Sequence, residues 1–218
     1  MWQAKIFTLY PEIFPGPLSS GLFGRALSNK VWNLEVVNIR DSAEDKHKTV
    51  DETPFGGGSG MLLKPDILAK SIDQNLVNGE KIFYLSPKGK KFDQKLAKEL
   101  AKENSINLIC GHFEGVDERI LKTRNIEELS IGDFILSGGE TAALVVIDSI
   151  LRLLPGILGN DESKNEESFE NGLLEYPQYT KPQNWEKKSV PEVLLSGDHS
   201  KIKDWRLSQS EAITRDRR

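Results

Sequence analysis

The chain has 218 residues, 38% of them hydrophobic and 28% charged, an ordinary globular composition that excludes an intrinsically disordered protein. Its net charge of −4 excludes a surface that coats nucleic acid through broad basicity, so any RNA contact must be local; an excess of three basic over acidic residues between Lys187 and Arg218 offers one place for it. The single cysteine, Cys110, excludes a disulfide framework or a cysteine-based zinc site within one chain, and no stretch reaches membrane-spanning length.

The N-terminus, MWQAKIFTLYPEIF, lacks the basic region, apolar run and small-residue cleavage site of an export signal, and the protein is expected to stay in the cytosol. Strands are expected at residues 4–9 and 32–37, then at 81–85 (KIFYL) and 106–110 (INLIC). Between the last two lies a helix whose apolar face carries Phe92, Leu96, Ala97, Leu100 and Ala101, which makes a βαβ unit. The pattern is that of an α/β sheet.

The best-defined helix follows Ser137-Gly138-Gly139-Glu140, where Ser137 and Glu140 have the spacing of a capping box, and is expected to run to Leu154 before Pro155-Gly156. It is apolar nearly all round, so it must be buried on most sides. Residues 160–172 (NDESKNEESFENG) are polar and read as a linker, which divides the chain into a main domain at 1–159 and a small domain at 173–218. The small domain carries an expected helix at about 199–215, and at its size it needs the main domain or a partner for stability.

Three segments place glycine or proline directly after a strand: Tyr84-Leu85-Ser86-Pro87-Lys88-Gly89, Cys110-Gly111-His112-Phe113-Glu114-Gly115 and the run from Ile131 to Gly139. In α/β sheets ligands bind beyond the carboxyl ends of the strands, where glycine lets a backbone come close. Each loop alone is also what an ordinary turn looks like, but three converging would make one pocket. Their polar groups are mainly backbone, with Glu114 and Asp133 as the obvious acids, which suits an adenine edge and a sulfonium or amino group better than a phosphate chain.

A fourth cluster, PFGGGSGM at residues 54–61, exposes backbone N–H groups to an anion or a base, and Lys46, His47 and Lys48 before it favour an RNA phosphate. No G-x-G-x-x-G, Walker lysine or G-x-S-x-G motif is present, which weakens NAD, NTP and hydrolase readings. His47, His112 and His199 lack ligand spacing and read as surface or hydrogen-bonded residues.

These segments together resemble the bacterial tRNA (guanine-N1)-methyltransferase family, of the SPOUT class. The resemblance is carried by FTLYPEIF (7–14), PFGGGSGM (54–61), LSPKG (85–89), CGHFEGVDER (110–119), SIGDFILSGGE (130–140), PGILG (155–159), ESFENGLLEYPQYTKP (167–182) and VPEVLLSGDHSKIKDWR (190–206). It implies a SPOUT-type domain with a deep trefoil knot around a mainly parallel sheet, plus a small helical C-terminal domain that grips tRNA. It further implies a homodimer whose active site is shared between subunits. The reaction it implies is transfer of the S-adenosylmethionine methyl to N1 of the guanosine 3′ to the anticodon, with assistance by Mg²⁺.

Carried over motif by motif, the cofactor residues are Tyr84, Leu85, Ser86, Pro87, Gly111, Glu114 and Gly115, then Ile131, Gly132, Asp133, Phe134, Ile135, Leu136, Gly138 and Gly139. Substrate contacts are implied at Asp51, Pro54, Gly56, Gly57, Gly58 and Gly60, in the linker at Ser163 and Ser168, and in the small domain at His199, Trp205 and Arg206. Methylating guanine N1 calls for a base and for a cation that stabilises charge on O6. The resemblance assigns these to Glu167 and Arg152. Each residue also has a plain reading, Arg152 as a cation at a helix C-terminus and Glu167 as an acid in the first turn of a linker helix capped by Ser163.

The sequence departs from the family pattern at several points. It has Glu167 for aspartate, Thr53 and His112 for arginines, and Phe55, Phe113 and Phe134 for tyrosines. These changes remove hydroxyls and charge rather than shape, and a backbone-built cofactor pocket tolerates them. The chain stops at Arg218, short of where the family's last helix is expected to end, so either an abbreviated C-terminal domain or a truncated chain is expected. The alternatives are a SPOUT methyltransferase acting on another RNA nucleoside, a catalytically silent RNA-binding protein, and an unknotted nucleotide-binding enzyme that uses GGGSGM as a phosphate cradle.

Overall fold

The structure, a computed structural model, describes residues 1–77, 79–158, 168–169 and 172–217. The chain divides into two compact units, Met1–Gly159 and Asn160–Arg218.

The first unit is built on a five-stranded sheet of β1 (Trp2–Thr8), β2 (Trp32–Asn38), β5 (Ile82–Lys91), β6 (Ser105–Cys110) and β7 (Glu127–Ser130), in the order β2-β1-β6-β5-β7. Every pairing in it is parallel. A parallel sheet is covered on both faces, and the alternation along its strands serves both covers. Ala4 and Ile6 of β1, Phe83 and Leu85 of β5, and Ile106, Leu108 and Cys110 of β6 enter one core with α1 (Gly21–Ser28), α3 (Gln94–Leu100) and α5 (Glu140–Leu151). Phe7, Ile82, Tyr84 and Ile109 enter the other, with α2 (Pro65–Asn75) and α4 (Glu118–Thr123). A short antiparallel ribbon of β3 (Asp51–Glu52) and β4 (Leu62–Leu63) flanks the sheet's carboxyl edge through a parallel bridge from Leu63 to Val116.

Several elements differ from their sequence expectation for local reasons. The strand expected at 81–85 continues to Lys91, because Lys90 and Lys91 resume pairing with Leu129 and Ser130 after a register shift. The first ligand loop is therefore an excursion within a strand, not a turn into a helix. Helix α3 begins only at Gln94, since the Asp93 side chain accepts from the Leu96 N–H at 2.9 Å, and Phe92 stays outside, donating its N–H to the Ser130 carbonyl. Helix α5 stops at Leu151 rather than Leu154, because the Leu153 and Leu154 N–H groups bond three residues back, to Ile150 and Leu151.

The expected capping box is corrected most clearly. The N-cap of α5 is Gly139, without a side-chain cap, and Glu140 turns its carboxylate into the protein instead. The helix packs on β1, β6 and α3, with Ala143, Val146, Ile147, Ile150 and Leu151 fully buried. It is not buried all round, since Thr141 and Val145 are exposed.

The second unit holds a hairpin of β8 (Asn184–Trp185) and β9 (Lys188–Ser189), then α6 (Glu192–Leu195) and α7 (His199–Arg217). Asp198 starts α7 by accepting from the N–H groups of Ser200 and Lys201, both at 3.2 Å. The Leu174 N–H donates to the Thr214 hydroxyl at 2.8 Å, which ties the preceding segment to the end of α7. No described helix is long and apolar enough to cross a membrane.

Candidate functional site

The excursion within β5 and the loops that follow β6 and β7 surround a cavity of about 330 Å³. Tyr84, Leu85, Ser86 and Pro87 line it from the first loop, Gly111, Glu114 and Gly115 from the second, and Ile131, Gly132, Phe134, Ile135, Leu136, Gly138 and Gly139 from the third. Of the residues expected around a cofactor, only Asp133 lies off this lining. Lys88, His112, Phe113 and Ser137 join it.

Backbone contacts make the lining compact. The Gly139 N–H donates to the Gly111 carbonyl at 3.0 Å, and a methyl on Gly139 would fall 2.6 Å from Cys110 Cα, so the third loop lies directly on the end of β6. The Glu114 N–H donates to the Met61 carbonyl at 2.9 Å and the Leu63 N–H to the Gly115 carbonyl at 2.9 Å. The end of the PFGGGSGM segment is thereby docked on the second loop. Phe55 and Gly56 to Gly58 remain exposed, and Asp51 is half-buried in β3.

Electrostatics sort the polar groups. Burial, reinforced by the negative charge of Glu128, pushes the Tyr84 phenol up to about 12, so it stays protonated. The Cys110 thiol is pushed well up, chiefly by burial and then by Glu140, which leaves it unreactive. The exposed Lys88 forms an ion pair with the half-buried Glu128 at 3.7 Å beside the cavity.

Sequence reasoning passed over one group of residues. Glu140 Oε1 accepts from the Thr8 hydroxyl at 2.5 Å and Glu140 Oε2 lies 2.8 Å from His112 Nε2, with the Glu140 side chain 5% exposed. Thr8 is itself oriented by the Tyr10 N–H at 2.9 Å, and the Tyr10 ring lies 4.7 Å from that of His112. The signals were a hydroxyl closing an apolar strand and an acid opening an apolar helix, each with a simpler local explanation.

Of the two residues expected to perform chemistry, Arg152 is the one among the described residues, and it stands away from this cavity. Arg152 is the exposed C-cap of α5 and does not line it; its N–H donates to the Asp148 carbonyl at 3.2 Å. The Asp148 carboxyl is raised by burial, with the Arg152 charge opposing the shift. Glu167 and Ser163 lie outside the described residues.

In the second unit the Ser168 hydroxyl accepts from the Glu175 N–H at 3.0 Å. His199 is exposed at the start of α7. One turn and more along that helix, Trp205 faces Tyr179 with centroids 6.2 Å apart, and the Arg206 guanidinium sits 4.7 Å from the centre of the Tyr176 ring.

The chain is 82% identical over its whole length to a tRNA (guanine-N(1)-)-methyltransferase of Pelagibacter ubique, covering 96% of that protein. It is 55% identical to the protein of that name from Bartonella tribocorum, covering 93% of it, and 52% identical to that of Brucella canis, covering 88%. The family model for tRNA (guanine-1)-methyltransferase TrmD matches residues 2–218, and the chain belongs to that family.

Proposed function

We propose that this protein transfers the methyl group of S-adenosylmethionine to N1 of the guanosine 3′ to the anticodon of tRNA, and that it acts in the cytosol as a homodimer. The observation that carries the reading is the three-loop cavity, whose lining coincides with nearly all the cofactor positions assigned from the family motifs. Its volume of about 330 Å³ lies in the range of small-molecule sites. Its close backbone approaches suit a folded ligand held by N–H and C=O groups. The contact of Gly139 with Gly111, and the excursion of β5 around the end of β7, support a trefoil knot in the same loops.

When bound, S-adenosylmethionine supplies an electrophilic methyl on a positively charged sulfur. The chain's own part is to hold guanine N1 in line with it, to remove the N1 proton and to stabilise charge on O6. Glu167 takes the proton, and Arg152 faces O6. Arg152 follows Glu140 by twelve residues, about 18 Å along a helix, and lies off the cavity lining. This separation supports a site completed across two copies of the chain.

The PFGGGSGM segment and the aromatic-backed Arg206 are the surfaces offered to tRNA, with Asp51, Ser163, Ser168, His199 and Trp205 as further contacts. Among the described residues no three His, Cys, Asp or Glu side chains converge on a metal position. The test is transfer of labelled methyl from S-adenosylmethionine to tRNA transcripts with guanine or adenine after the anticodon. Labelling of the guanine transcript alone is expected; equal labelling of both, or of neither, defeats the reading.

A further inference from the structure

We propose that His112, Glu140 and Thr8 form a positioning relay that fixes the second and third cavity loops in register for S-adenosylmethionine, with the Glu140 carboxylate as its hub. This rests on the reading of the cavity as the methyl-donor site and adds residues to it that line or support the pocket through side chains.

The three residues belong to three different segments. Thr8 ends β1, His112 stands in the second loop, and Glu140 follows the third loop at the start of α5. One carboxylate joins them, at 2.5 Å to the Thr8 hydroxyl and 2.8 Å to His112 Nε2. An ionised carboxylate only accepts, so both partners donate to it. The Tyr10 N–H occupies the Thr8 oxygen at 2.9 Å and thereby turns the Thr8 hydroxyl proton towards Glu140. A carboxylate 5% exposed requires such donors, because a buried charge without them is strongly disfavoured.

The fit under the third loop is close. A methyl on Gly138 would fall 2.3 Å from His112 Cε1 and 2.6 Å from Glu140 Oε2, so the loop backbone rests on the paired side chains. Gly138 and His112 both line the cavity, whereas Thr8 and Glu140 do not. The relay thus carries the position of the inner strand β1 to two walls of the pocket. Its removal changes the pocket's shape without removing any group from the Arg152 and Glu167 chemistry.

The test uses the full-length protein with S-adenosylmethionine as the titrant, and measures the Kd of the donor by calorimetry and the KM values of donor and tRNA in methyl transfer. His112→Ala is expected to raise donor Kd and KM about tenfold or more and to leave the KM for tRNA unchanged, as for loss of a charge-assisted hydrogen bond. His112→Gln, whose amide still donates to Glu140, recovers most of that loss. Thr8→Val keeps the shape of a residue that does not touch the cavity, and it weakens donor binding in the same direction through Glu140 alone. The double variant Thr8→Val/His112→Ala is little worse than His112→Ala, since both act on one carboxylate. Unchanged donor affinity in both single variants, or no recovery with His112→Gln, overturns the relay. If the unaltered protein fails to bind S-adenosylmethionine, the donor-site reading itself falls, and the relay falls with it.

Discussion

The Tyr84 ring stands against the backbone of Gly111, so closely that a methyl on Gly111 would lie 2.6 Å from the ring's Cε2 and 2.7 Å from its hydroxyl. Both residues line the cavity. Gly111→Ala therefore displaces the ring or the second loop, and S-adenosylmethionine affinity is expected to fall about tenfold or more while the protein stays folded. Calorimetry alongside circular dichroism checks it; normal affinity would mean that the ring plays no part in shaping the site.

The same ring predicts an alkaline effect. The folded state raises the Tyr84 phenol from 10.0 to about 12, so between those values the unfolded chain gives up the proton first. Stability from this group is fully present below pH 10 and is lost as pH rises towards 12, by about 2–3 kcal/mol. Denaturant unfolding of the parent and of Tyr84→Phe across this range should show the steeper decline in the parent. Parallel curves would contradict the burial of the phenol.

For the chemistry, Glu167→Ala is expected to lower methyl transfer about 10²–10⁴-fold, as for loss of a general base, with donor affinity retained. Arg152→Ala is expected to lower kcat about 10²–10³-fold, again without weakening donor binding. Single-turnover transfer and donor titration separate the two effects. Near-normal turnover in Glu167→Ala would move the base to Glu166 or elsewhere.

Ile147 is fully buried between α5 and the sheet. Ile147→Ala leaves a cavity there and should cost about 2–5 kcal/mol in denaturant unfolding, with the slope of the transition unchanged. A loss well below 1 kcal/mol would show that the helix can settle into the gap.

The sequence was most readable where one local signal decided the structure. β6 and the middle of α5 follow from apolar runs and helical period, and the pocket loops from glycine placed after strands. Reading failed where a distant partner decided. Nothing local to Lys90 and Lys91 says that they rejoin Leu129 and Ser130, and nothing local to Glu140 says that its partner is Thr8, 132 residues earlier. A capping box was the economical explanation for Glu140, and tertiary hydrogen bonds overrode it. The roles proposed for Arg152 and Glu167 rest on the family resemblance alone, since Arg152 lies off the cavity lining and Glu167 outside the described residues.

Strand β1 is the second strand from one side of the sheet, and its inner neighbour, β6, begins about a hundred residues later, with Gln3 set against Ser105. During synthesis the first strand therefore emerges with one flank open until that much more chain has followed, and it gains its Glu140 contact later still. Such remote pairing makes folding slow and leaves a sticky edge exposed in the meantime. Ribosome-bound fragments ending before Cys110 should consequently depend on chaperones and bind no methyl donor, and competence should arrive abruptly once α5 has been made.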